Sequence, residues 1–595
     1  MSVMKLMVLT MALVMMMAAG SVAFAGEPAA PALPAMQDYA KPGQLEPLPD
    51  GMASLYRTPW RSNVRTASGY DALNGIGVYY KHVPQWSIEQ NTHVMKEMAS
   101  CGVKHMRIAP HLAMYINKDW TAPNPDELSV LKSELTACHN AGIRPCVIFV
   151  HLPPMGDNES AQKWVSQTWK KDLMTQGPPG SPEYKAYLEK TYLAMTFVLK
   201  TAREAGFTKS GSYDMEMGQN LWWGFPAMKP NPALTLKDLQ PGGLIYDFDK
   251  ALMEMADADG YNEPAFLDSQ CYHYFEHMND AEVPDLEAGR AISVYSQYQG
   301  ITDDKFVGSD DWPARPALKF YEGTPPAVML MKPEGFMADF SRRDCMIPLL
   351  QTSKKSIALT SLGVVPSDIP GLMVEKEENG RKSKVKADNV DGWDLKCKGL
   401  TRSFAFWLNQ GVSFVLIHSA YEGNNDEMSH ALIPWIKTPA DPKKDPKTLP
   451  DFNWERSRPL STMHDFVAPL KDARRMSNFT DLNFKYALAN DAELVPKSEK
   501  GGPLKASDAV ALLTFQLGRK KFAVAAYVVT PTITVPCKPT TMTVQVDKVI
   551  NGDVTYRRPV TRAMGMTRTL ERTKESTTFS FEVADDVTWL TFEID

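Results

Sequence analysis

The stretch Arg144-Pro-Cys-Val-Ile-Phe-Val-His151 is apolar from its third residue to its seventh, with no polar residue alternating between them. A strand with one wet face alternates, whereas a strand covered on both faces does not, so this stretch predicts a strand of a parallel sheet buried between helices. Its flanks agree. Upstream, Leu128, Leu131, Leu135 and Cys138 recur at helical spacing and Gly142 supplies the stop. Downstream, Ser181-Pro182 pairs a cap with a first-turn proline, Leu188, Met195, Leu199 and Ala202 line the helix, and Gly206 ends it. That helix delivers Tyr213-Asp-Met-Glu-Met-Gly-Gln-Asn220, a further strand, which runs into Trp222 and Trp223.

The same unit occurs earlier. GIGVYY, from Gly75 to Tyr80, is a short apolar strand. Ser87 and Gln90 form a capping box for a helix bearing Ile88, Met95, Met98 and Ala99 that ends at Gly102. VKHMRIAP then places Arg107 near a strand's carboxyl end. Repeated strand-helix turns imply a parallel sheet, either open and doubly wound or closed as a (β/α)8 barrel. No phosphate-binding glycine fingerprint follows the first strand, so the barrel is preferred. In a barrel the reactive groups stand at the carboxyl ends of the strands, where Arg107, His151 and Glu216 to Asn220 fall.

Farther on, LIYDFDKALMEMADADGY is expected as a helix, and EPAFLDSQCYHYF and KFVGSDDW as strand ends, one of them within an insertion. PAVMLMKP is expected as the sixth strand, Arg342 to Leu362 as a helix, GLMVEKEE from Gly371 as the seventh strand and Val412 to His418 as the eighth. A Pro- and Lys-rich break, Lys437 to Asp451, separates this α/β region from β-branched runs such as AVALLTFQL, KFAVAAYVV and TWLTFEI, which predict an antiparallel β-sandwich. The expected organisation is a (β/α)8 barrel over 71–436, a linker over 437–451 and a sandwich over 452–595. A Pro/Ala-rich segment over 26–70 precedes the barrel.

The 595 residues carry a net charge of −6, with 44% hydrophobic and 23% charged residues, and no long basic run. That composition describes a globular protein and argues against nucleic acid as a partner. Met1 to Ala25 has Lys5, an apolar run from Leu6 to Ala19 and the small-x-small site Ala23-Phe24-Ala25, the pattern of a removable export signal. The expected location is therefore secreted or periplasmic, with no membrane contact after cleavage. The seven cysteines show neither CxxC nor CxxxH spacing, so no zinc site and no disulfide framework is indicated. No nucleotide motif appears either, and no cofactor or metal is called for. The oligomeric state is not readable.

The order of strands ending in Arg107, His151, a Glu-bearing fourth strand and Leu372-Met373-Val374-Glu375, followed by a β-sandwich, resembles the clan of (β/α)8 retaining glycoside hydrolases. In that clan the fourth strand usually ends W-E-I-G-N-E, whose last glutamate is the general acid/base, and the seventh strand ends in the nucleophile. Met215-Glu216-Met217-Gly218-Gln219-Asn220 follows the pattern with two departures: Gln219 replaces the asparagine and Asn220 the acid/base glutamate. The resemblance implies Glu375 as nucleophile, with Glu377 two residues on, and leaves Glu216 as the remaining carboxylate. It implies that Arg107 and His151 line the sugar subsite or tune the nucleophile, and that Asn220 is a substrate-binding residue at the usual acid/base position. A retaining hydrolase needs two carboxyls about 5 to 5.5 Å apart, and an amide cannot supply the proton.

Three alternatives follow: a proton from Glu216 or from Asp310 or Asp311, a reaction that uses a group on the substrate, or sugar binding without cleavage. Glu216 also has a plain structural reading, as an internal carboxylate paired with Arg107, and Glu375 one as a solvated strand-end charge. Two adjacent tryptophans on a loop cannot both point inward, so Trp222 or Trp223 is expected to face a cleft and stack on sugar rings, with Tyr272 and Trp312 as further lining. The expected function is that of an exported glycoside hydrolase-like protein acting on a poly- or oligosaccharide. The rival readings are a non-catalytic carbohydrate-binding protein on the same barrel and a structural exported protein.

Overall fold

The computed structural model describes residues 33–39, 66–81, 86–109, 115–117, 121–149, 180–217, 244–271, 291–295, 356–363, 366, 372–378, 380–388, 390–420, 427–433, 445, 447–451, 453–495, 504–529 and 537–595. Eight parallel strands are hydrogen-bonded side by side into a closed ring. In chain order they are β1 (Ile76–Lys81), β2 (His105–Ala109), β3 (Arg144–Phe149), β4 (Tyr213–Met217), β5 (Pro264–Cys271), β6 (Ala291–Tyr295), β7 (Ser356–Gly363) and β8 (Phe414–His418). β8 closes the ring by pairing with β7 on one side and β1 on the other.

Helices cross between strands as α1 (Ile88–Ser100), α2 (Pro125–Ala141), α3 (Pro182–Glu204), α4 (Leu244–Ala258) and α5 (Gly392–Gln410). Their ends are set locally. Ser87 Oγ accepts from the Gln90 N–H at 3.2 Å while Gln90 Oε1 accepts from the Ser87 N–H at 2.8 Å, which closes the capping box of α1. Gly142 and Gly411 end α2 and α5 in the left-handed region, at φ 67° and 96°.

Inside the ring, Cys146, Leu267, Ala358, Phe414 and Leu416 form a small apolar cluster. Gly77 of β1 must be a glycine, because a Cβ there would stand 2.8 Å from the His105 carbonyl oxygen and against the Leu416 side chain. Gly77→Ala is accordingly expected to cost about 1–3 kcal/mol by overpacking, measurable as a fall in the urea midpoint.

The carboxyl-terminal part forms a five-stranded and a six-stranded sheet. They meet through Phe579 and Phe592, whose ring centroids are 6.5 Å apart. The segment ahead of the barrel does more than link. Gln37–Asp38 pairs at the edge of the five-stranded sheet and Ala67–Ser68 at the edge of the six-stranded one. Tyr39 packs its ring on Phe484 and Tyr486 of one sheet and accepts a hydrogen bond at 2.9 Å from the Leu512 N–H of the other. Between barrel and sheets lies α6 (Arg458–Val467), whose Phe466 touches Phe404 of α5 and Trp589 of the six-stranded sheet. A single apolar core runs through both parts.

Three sequence expectations are corrected. GLMVEKEE is not the seventh barrel strand: Met373–Glu378 pairs antiparallel with Arg381–Lys386 as a separate two-stranded hairpin with exposed side chains. The cue was Asn379-Gly380, a strong hairpin-turn pair, and Gly380 has φ 73°. The seventh strand is Ser356–Gly363, which overlaps the stretch expected as a helix: Ala358 and Leu359, adjacent and so on opposite faces, are both 0% exposed, and a strand covered on both faces shows no alternation to mark it. The sixth strand is Ala291–Tyr295, and PAVMLMKP lies outside the described residues.

Candidate functional site

Arg107 stands in β2 and Glu216 in β4, with β3 between them. The register sets Arg107 beside Cys146 and Ile148 beside Glu216, so the guanidinium must reach across β3, roughly 10 Å for two strand spacings. It passes over the small Cys146, and Nε donates to Glu216 Oε2 at 2.7 Å with both side chains 0% exposed. Burial by itself would lower the Arg107 guanidinium, but the adjacent Glu216 carboxylate holds it above its ordinary value. The Cys146 thiol is pushed well up by burial and by Glu216, which leaves it a core group and not a nucleophile.

From this pair a line of rings leads to the end of β8. The Arg107 guanidinium lies 5.2 Å from the Tyr79 ring centroid. Tyr79 lies 4.6 Å from His418, and His418 meets His430 edge-on at 4.5 Å. The chain after β8 fixes this corner by backbone bonds: Ser419 N–H to His430 O at 3.2 Å, Leu432 N–H to Ser419 O at 2.9 Å and Ala420 N–H to Tyr79 O at 2.7 Å. Tyr79, Arg107, Glu216, His418 and His430 thus gather toward the carboxyl end of the barrel, where barrels carry their sites. Tyr79 is 8% exposed and Arg107 and Glu216 are fully buried, while His418 and His430 are half-buried.

The structure brings Arg107 and Glu216 together as the sequence suggested, and in the arrangement of the structural reading. Glu375 is elsewhere. It sits on the exposed hairpin with a side chain 67% exposed, 3.9 Å from Lys382, and Glu377 is exposed on the same strand. Once the hairpin is seen to be separate from the ring, the strand-end argument for Glu375 as nucleophile no longer holds. Trp393 sits in the first turn of α5 under the Lys396 ammonium, 4.3 Å from its ring centroid. His151, Asn220, Trp222, Trp223, Tyr272 and Trp312, together with Asp310 and Asp311, lie outside the described residues. Among the described residues no cluster of three metal-ligating side chains occurs, and no helix is long and apolar enough to cross a membrane.

Sequence reasoning missed Tyr79, His418 and His430. His418 was already the expected last residue of the eighth strand, and a histidine at a strand's carboxyl end is itself a signal. Its contact with Tyr79 of β1 arises only when the ring closes.

No protein-family model matches the chain, and no curated protein matches it. Among solved structures it is similar to a family 51 arabinofuranosidase of Xanthomonas axonopodis pv. citri (10% identity, 89% of this chain and 97% of that one, TM-score 0.41). It is also similar to a family 51 alpha-L-arabinofuranosidase of Bifidobacterium longum (10% identity, 89% and 97%, TM-score 0.45). A family 39 glycoside hydrolase of Bacteroides cellulosilyticus gives a comparable likeness (10% identity, 89% and 83%, TM-score 0.44). Likenesses of this extent carry no weight for substrate or activity.

Proposed function

We propose that this chain is an exported, glycoside hydrolase-like (β/α)8 barrel with a carboxyl-terminal β-sandwich that holds a poly- or oligosaccharide over the carboxyl end of the barrel. The observation that carries this reading is the chain of side chains from Glu216 through Arg107 and Tyr79 to His418 and His430, gathered at that end. The motif around Glu216 and the neighbouring tryptophans of the sequence support it. Export rests on the Met1 to Ala25 signal pattern.

A second reading, binding without cleavage, is favoured by one specific observation: Glu216 is fully buried and ion-paired to Arg107. A carboxyl in that setting neither attacks an anomeric carbon nor protonates a leaving oxygen, since both roles require contact with substrate. If the protein hydrolyses its glycan, the working carboxylates come from residues other than the Glu216 and Glu375 pair.

The two readings separate in one experiment. The protein lacking residues 1–25 is screened on a broad glycan array, and reducing-end release from each bound glycan is then assayed. Binding with release supports the hydrolase, binding without release supports the recognition protein, and no binding to any glycan overturns the proposal. Glu375→Gln is expected to leave both binding and release at the wild-type level.

A further inference from the structure

The segment after α6 and a hairpin turn of the six-stranded sheet are held together on the outside of the molecule. The turn joins Val510–Gln516 to Lys521–Val528, and its Leu517 carbonyl accepts from the Arg474 N–H at 2.8 Å. Lys521 Nζ reaches back to Asp472 Oδ2 at 2.8 Å. Gln516 completes the bracing: its Oε1 accepts from the Thr480 N–H at 2.8 Å, and its Nε2 donates to the Gly518 and Arg519 carbonyls at 3.1 Å each. These segments lie toward the amino-terminal end of the barrel, since Lys471 stands close enough to the end of α1 to act on Cys101, and Val467 fills the space beside Gly102. Nothing in the site at the carboxyl end uses them.

The braced segments present cations to solvent. Lys471, Arg474, Arg475, Arg519 and Lys520 are all exposed. Arg475, Arg519 and Lys520 have no ion-pair partner among the described residues, while Lys471 Nζ lies 3.4 Å from His464 Nε2. The acids at hand are fewer. Asp472 is committed to Lys521, and Glu593 and Asp595 flank Ile594, whose N–H donates to the Lys520 carbonyl at 2.9 Å. The surplus is therefore positive, on a chain whose net charge is −6. A run of exposed charge is ordinarily a solvated face and nothing more. Here two segments distant in sequence are pinned to each other, and Phe479, 41% exposed, adjoins the braced Thr480.

We propose that this patch binds the carboxylate groups of an acidic polysaccharide, one whose rings carry uronate groups. The inference deepens the carbohydrate reading and rests on it for the polymer being a glycan. Guanidinium groups suit the task, because the planar fork of Arg475 or Arg519 meets a carboxylate with two parallel hydrogen bonds. Phe479 offers a ring face on which the apolar face of a sugar stacks. Its partial cover argues against a lipid surface, which is anchored by apolar side chains buried in the boundary of the acyl chains. Binding here leaves the carboxyl end of the barrel open, so one stretch of a long chain is retained while another reaches the site.

The probe is α-1,4-linked hexagalacturonate, titrated calorimetrically at pH 7 and low salt into the full-length chain, with its carboxyl-reduced, neutral counterpart as the control. Saturable binding is expected at millimolar concentration or below, at least about tenfold tighter than for the reduced oligomer and weakening as salt is added. The double variant Arg475→Gln, Arg519→Gln removes two exposed side chains and should weaken hexagalacturonate at least about tenfold, with the circular dichroism spectrum and the urea midpoint unchanged. Lys382→Gln, Lys384→Gln removes two exposed cations from the separate hairpin and should change nothing, which separates the patch from net charge. Neutral glycans retained on the array with no hexagalacturonate binding would overturn this inference alone, whereas binding of the uronide and of no other glycan would overturn the barrel reading alone. Equal binding of the reduced oligomer, unchanged affinity in the arginine variant, an equal loss in the lysine variant, or a preference for phosphatidylglycerol vesicles over the oligomer would each overturn the proposal.

Discussion

Arg107→Met is expected to destabilise the barrel by about 3–5 kcal/mol, the usual cost of stranding one partner of a buried ion pair. Glu216 would be left at 0% exposure without its guanidinium, and the Tyr79 ring would lose the cation beside it. The charge itself sets the cost. Methionine retains most of the apolar stem, so little volume is lost and the loss of the charge dominates. The double variant Arg107→Met, Glu216→Leu should recover most of the loss, because an apolar pair of similar volume often matches a buried ion pair. Urea unfolding followed by circular dichroism measures both, provided the transition is checked for a single step, since a chain with two structural parts need not unfold in one. A loss below about 1 kcal/mol for the single variant would mean that the pair is reached by water.

Trp589→Ala is expected to cost about 3–5 kcal/mol, the range for removing a large aromatic from a core. Trp589 is 0% exposed and wedged between Phe466 of α6, at 5.1 Å, and Phe515 of its own sheet, at 5.4 Å. Its loss opens the seam between barrel and sheets. Polar groups along the same seam cannot make up for it: Lys398 is shared between Asp585 and Asp394, each at 3.3 Å, and Asn409 Nδ2 donates to the Thr514 carbonyl at 2.9 Å. The expected readout is a lower unfolding midpoint together with faster proteolysis at the junction. Unchanged proteolysis would show that the seam is held without the indole.

Local signals carried much of this fold into the sequence. The capping box at Ser87 and Gln90, the Ser181 cap that accepts from the Tyr184 N–H at 3.1 Å, and the left-handed Gly142 and Gly411 are choices of single residues with short-range physical causes. What escaped was set at long range. Ser356–Gly363 carries no periodicity because both its faces are covered, and Met373–Glu378 imitated a strand-end motif while pairing only with its own neighbour. Gln37–Asp38 and Ala67–Ser68 are too short to announce themselves as strands and become so only because finished sheets offer them edges.

The site shows the same division. The Arg107–Glu216 pair was legible because each residue sits on a well-marked strand. The corner of Tyr79, His418 and His430 joins the first strand to the last and exists only through closure.

The most direct measurement is the affinity of the wild-type protein, His418→Ala and Glu375→Gln for one oligosaccharide taken from the array. The account predicts that His418→Ala weakens binding at least about tenfold, as expected for a ring that touches the sugar, while Glu375→Gln changes neither affinity nor any reducing-end release. Loss of binding or release in Glu375→Gln with His418→Ala unaffected would contradict it, and would move the site from the barrel's ring of strands to the hairpin.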